Sequence, residues 1–128
     1  MGYYFGAFIE STFEGAIDKV TAELKKEGFG IITEIDVKKT LKEKMDVEFR
    51  KYRILGACNP SYAYKALLAE NKIGAMLPCN VVVQEKENGV VEVSVVDPVA
   101  SMLAVKNDVL QEIAKTIQGK LQKVIENL

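Results

Sequence analysis

The chain has 128 residues, 48% apolar and 27% charged, the profile of one soluble globular domain long enough to bury a core without disulfides or metal. Its 17 basic and 18 acidic side chains leave a formal charge of −1, so no global field draws it onto phosphate. Histidine and tryptophan are absent, which excludes histidine-based triads, dyads and metal sites, and no apolar run approaches the roughly 20 residues of a membrane-spanning helix.

In chain order, alternation predicts a first strand with Tyr3, Phe5, Ala7 and Ile9 on one face. Ser11 followed by Glu14 reads as a reciprocal capping pair opening a helix whose stripe is Phe13, Ile17, Val20 and Leu24; Gly28 closes it in the left-handed region. Phe29–Ile35 reads as a second strand, and Asp36 as the cap of a short helix through Val37, Leu41 and Met45. A third strand runs from Tyr52 to Ala57. Asn59-Pro60 then opens a helix marked by Ala63, Ala66 and Leu67, with Asn as cap and Pro at the first position. Val81–Glu85 and Val90–Val96 flank Asn88-Gly89, a strong hairpin signal. The last helix runs from about Asp108 to the end, with Leu110, Ile113, Ile117, Leu121, Val124 and Leu128 spaced by three and four. Such a stripe is laid on the sheet or forms a seam with a partner helix. The order β-α-β-α-β-α-β-β-α predicts an α+β domain with a mixed sheet of about five strands.

Three stretches carry more polar or conformationally special residues than packing needs: Leu55-Gly56-Ala57-Cys58-Asn59-Pro60, Leu77-Pro78-Cys79-Asn80-Val81 and Val96-Asp97-Pro98. Each lies at a strand end, where sites sit on a rigid scaffold. Both cysteines belong to a Cys-Asn pair. The first two stretches, with Gly28-Phe29-Gly30-Ile31-Ile32-Thr33-Glu34-Ile35-Asp36-Val37, resemble the bacterial and archaeal family known as domain of unknown function 302, over roughly Phe13 to Met102. The resemblance implies a compact α+β domain with no established activity.

Free cysteine usually packs as a small hydrophobe. Cys58, however, lies just before a helix N-terminus, whose partial positive charge favours thiolate. The helix after Pro60 looks like a crossover, which would make the third and fourth strands parallel. A six-residue strand would then hold Cys58 and Cys79 about 20 Å apart. No metal is expected; if one binds, Cys58 and Cys79 are its ligands, and two protein ligands are too few for zinc. Asn59 reads as a helix cap, Asn80 as a residue without a capping role, and Asp97 as the cap of the turn after it. Glu34 and Asp36 alternate onto one strand face, but Asp36 is committed as a cap, leaving Glu34 alone. Lys38, Lys39, Lys42 and Lys44 read as a solvated helix face; no phosphate loop or dinucleotide fingerprint occurs, and neither nucleic acid nor membrane is expected as a partner.

The opening residues lack the basic segment of an export signal, and two cysteines 21 apart make no disulfide framework, so a reducing cytoplasm is expected. Ser11 and Thr12 follow a Met-Gly start, but the aromatic strand between them argues against lipidation. The leading expectation is a non-catalytic cytoplasmic module that binds a small ligand or partner as a homodimer. Its ligand-binding candidates are Cys58, Asn59, Cys79, Asn80, Glu34 and Asp97. The alternatives are a thiol-dependent enzyme or redox protein using Cys58 with or without Cys79, and a metal-binding protein; the sequence implies no cofactor.

Overall fold

The computed structural model describes residues 2–128. Its elements are β1 (Tyr4–Ile9), α1 (Phe13–Lys26), β2 (Gly30–Asp36), α2 (Val37–Met45), β3 (Tyr52–Cys58), α3 (Pro60–Ala69), β4 (Cys79–Glu85), β5 (Val91–Val96), α4 (Pro98–Ser101) and α5 (Asp108–Glu126), with short 3-10 turns at Ile73–Met76 and Glu87–Gly89. The α+β class agrees with the sequence reading, and so does the element order apart from the short α4, where a turn was expected. One feature of the sheet does not: its order is β1-β5-β4-β3-β2, and every neighbouring pair is antiparallel. The expected mixed sheet required α3 to cross over the sheet. Instead α3 packs beside it, against α5 and the Ile73–Met76 turn, so the chain re-enters at the end it left.

Strand alternation separates two faces. Phe5, Val95, Val81 and Leu55 form one inward row across β1, β5, β4 and β3; Ala7, Val93 and Val83 form the next. Against these rows α1 sets Phe13, Ala16, Val20 and Leu24, and α5 sets Ile117, Leu121 and Val124, all buried. The terminal stripe is therefore laid on the sheet, which removes the partner-helix reading of α5. The N-terminal half of α5, with Leu110 and Ala114, makes a second cluster with Ala66, Ile73 and Met102. On the opposite face Tyr4, Phe8, Ile35 and Asn80 are exposed.

Local chemistry explains the element ends. Thr12, not Ser11, caps α1: the Gly15 N–H donates to Thr12 Oγ1 at 2.9 Å. A Cβ at position 15 would lie 2.6 Å from Ser11 Oγ and 2.8 Å from Thr12 Oγ1, so these hydroxyls would have to shift, the capping one among them. Gly28 ends α1's turn at φ 89°, and Asp36 Oδ1 accepts from the Lys39 N–H at 3.0 Å to start α2. Asn88 and Gly89 both take positive φ (68° and 75°), the backbone of the tight hairpin turn that joins β4 to β5.

Candidate functional site

Antiparallel pairing of β3 and β4 places Ala57 opposite Cys79, so Cys58 and Cys79 sit on adjacent strands, one step out of register. The expected separation of about 20 Å is thereby overturned. Neighbours so offset have α-carbons roughly 6 Å apart. The same end of the sheet receives the start of α4, since β5 runs antiparallel to β4 and Val95 pairs with Val81. Three strand-end corners thus converge: Cys58-Asn59, Pro78-Cys79 and Pro98. They wall a cleft of about 300 Å³, closed on its far side by α3, the Ile73–Met76 turn and α5.

The cleft exists because the residues facing one another across it are small. Ala57 comes from β3, Ala63 and Ala66 from α3, Gly74 from the turn and Ala114 from α5. Larger apolar groups, among them Phe29, Tyr62, Met102 and Ile117, finish the wall. At the mouth stand Leu67 and Ile32. Ile32 is the extra residue of a β-bulge: Ile31 pairs with Ala57 and Thr33 with Gly56, leaving Ile32 without a partner and 62% exposed. Gly56 carries no side chain because Thr33 Oγ1 occupies that space and Pro78 Cγ would be 2.7 Å from a Cβ.

Polar groups in this wall are few. Asn59 occupies the N-cap position of α3, but its side chain makes no capping bond, contrary to expectation. Its Nδ2 donates instead to the Glu27 carbonyl at 3.2 Å, tying the end of α1 to the start of α3. The Cys79 thiol is buried, and desolvation, with a smaller coulombic effect from Cys58, pushes its pKa from 9.0 up to about 11. Cys79 is therefore a neutral thiol at physiological pH. Cys58 is half-buried, and both cysteines are free. Among the described residues no group of three or more His, Cys, Asp and Glu forms around the pair.

The remaining candidates lie elsewhere. Asn80 stands on the open face of the sheet, in a second recess with Tyr4, Tyr52 and Gln84. Glu34 Oε2 accepts from Arg53 Nη1 at 2.8 Å, and Asp36 Oδ2 lies 3.5 Å from Arg53 Nε, so the two carboxylates do share a face and spend it holding one arginine. Asp97 caps α4, accepting from the Val99 N–H at 3.0 Å, and also accepts from Gln118 Nε2 of α5 at 3.0 Å. It holds the cleft wall without lining it. Sequence reasoning missed Ile32, Tyr62, Met102 and Ile113 as wall residues. The signal available was the alanine spacing of α3, whose small face had nothing in the sequence to show what lay opposite.

No helix among the described residues is long and apolar enough to cross a membrane. No curated protein matches this chain. Among solved structures, the uncharacterized conserved protein DUF302 from Bacillus stearothermophilus is similar, with a TM-score of 0.89, 27% identity, and coverage of 98% of this chain and 97% of that one. The family described as "Domain of unknown function DUF302" matches residues 8–128, beyond both ends of the blocks that carried the resemblance, and the chain belongs to that family.

Proposed function

We propose that the chain is a non-catalytic cytoplasmic module that binds a small molecule in the cleft and works as a homodimer. The observation that carries this reading is the cleft itself: three strand ends, α3, α5 and a 3-10 turn enclose about 300 Å³ with a nearly unbroken apolar wall. Binding sites are concave, mostly apolar and furnished with a few polar groups, and this volume lies at the lower end of their range. Dimerisation is supported by the other side of the sheet. There Tyr4, Phe8 and Ile35 are 47%, 66% and 49% exposed around half-buried Ile54 and Val82, with Asn80, Gln84, Glu92 and Ser94 between them, a mixed surface that carries large exposed apolar groups on the side of the sheet opposite the core. Two free cysteines on neighbouring strands suit a reducing compartment.

The test is a thermal-shift screen of the full chain against a small-molecule panel, with sedimentation at high micromolar concentration. A saturating ligand raises Tm by several degrees in the wild type and not in Ala63→Trp, which fills the cleft. Absence of any shift overturns the binding reading, and a monomer in the centrifuge overturns the dimer.

One observation favours a second reading, a thiol redox protein or thiol-dependent enzyme: the two cysteines are neighbours in space. Against it stands the raised Cys79 pKa, since thiolate is the reactive species. Rapid alkylation of Cys58 below neutral pH in folded protein would favour this alternative; reaction only after denaturant would end it.

A further inference from the structure

The wall chemistry restricts which molecules the cleft can hold. No Lys, Arg, Asp or Glu lines it. An ionised ligand group taken into it would therefore lose its hydration without a counter-charge. The volume, about 300 Å³, is about twice that of the apolar cavity that accepts benzene, so it suits roughly a dozen non-hydrogen atoms.

Besides the Tyr62 hydroxyl and the two thiols, which make no hydrogen bond among the described residues, one polar group in the wall has spare capacity and a fixed orientation. Asn59 is only 9% exposed, and its amide orientation is fixed because Nδ2 donates to the Glu27 carbonyl. The backbone beneath it is equally fixed: the Ala63 N–H bonds to the Asn59 carbonyl, and Gly28, at positive φ, leaves room for the carboxamide where a Cβ would lie 3.1 Å from Nδ2. Asn59 Oδ1 has no protein donor among the described residues. Yet no side-chain oxygen or nitrogen sealed from solvent lacks a partner, so Oδ1 is open to approach, and Asn59 is one of the residues that line the cleft. An acceptor so placed, with one neighbouring thiol held neutral, is matched by a donor on the ligand.

Resting on the small-ligand reading above, we infer that the cleft takes a neutral, mainly hydrocarbon molecule of roughly a dozen non-hydrogen atoms whose single hydroxyl-type donor bonds to Asn59 Oδ1. The apolar body lies along Ala63, Ala66 and Ile117, toward Leu67 and Ile32 at the mouth.

Isothermal titration of the full chain with four matched probes tests this: para-butylphenol, para-butylanisole, butylbenzene and para-butylbenzoate at pH 7.5. The phenol binds about 10-fold more tightly than the anisole and the hydrocarbon, the increment of one net hydrogen bond. The benzoate binds at least ~100-fold more weakly than the phenol, because its charge is unpaired. In Asn59→Leu the preference for phenol over anisole disappears while both still bind. If that variant does not fold, the wild-type ranking decides alone. Equal affinities for the three neutral probes overturn the Asn59 assignment and leave the cleft reading standing; tightest binding of the benzoate overturns neutrality. If none of the four binds while another panel compound gives a shift that Ala63→Trp abolishes, this inference fails by itself. If no compound of either set binds, the cleft reading fails with it.

Discussion

Cys79 couples the site to pH. Its thiol is neutral when folded because deprotonation would place a charge in an apolar wall, and an exposed thiol in the unfolded chain meets no such penalty. The folded pKa lies above the unfolded one, so the stability this group confers is complete below pH 9 and is lost as pH rises toward 11. A shift of that size corresponds to about 2–3 kcal/mol. Urea unfolding followed from pH 8 to pH 11 is expected to show the decline, and Cys79→Ala is expected to flatten it. The cysteine's burial was legible as a prior from its residue type; its neighbour was not. Whether Cys58 lies beside Cys79 depends on strand direction, and that depends on where α3 packs, a fact not encoded near either cysteine. Asn59 shows the same limit. Its position at a helix start was readable, but its bond to the Glu27 carbonyl, 32 residues away in sequence, was not.

Among the elements, the ends governed by local chemistry were the readable ones. Asp36, Gly28, Asn88-Gly89 and Asp97 act within three residues of themselves, and each does what its residue type predicts. Thr12 taking the cap from Ser11 is a one-residue slip of the same kind. Asp97 goes further than its local signal, because its carboxylate also receives the Gln118 amide and so joins α4 to α5 across the cleft wall. With 7% exposure, its removal leaves the Val99 N–H and the Gln118 amide short of a partner. Asp97→Ala is expected to lose about 1–3 kcal/mol in chemical denaturation, and Asp97→Asn less, since it retains one acceptor.

For the whole molecule, site and stability pull in opposite directions. The cleft is unfilled apolar volume in a fold that otherwise packs closely, and packing density is where stability comes from. Ala63→Leu, on a half-exposed helical position facing the void, is expected to stabilise the chain by roughly 0.5–1 kcal/mol and to weaken ligand binding at least ~10-fold, measured by denaturation and titration on one sample. A gain in stability with unchanged binding would place the ligand outside the cleft. Composition and periodicity could specify the layer of helices on a sheet because both are properties of single elements. The void between α3, α5 and the sheet end is a relation among three elements, readable only after they are assembled.

The bulge at Ile32 gives this arrangement an adjustable doorway. Because Ile31 and Thr33 already face consecutive residues of β3, removing Ile32 would restore an uninterrupted ladder without sliding any other pair. Loss of that single residue would reshape the entrance while leaving the scaffold in phase, so what the doorway admits can change without the fold changing with it.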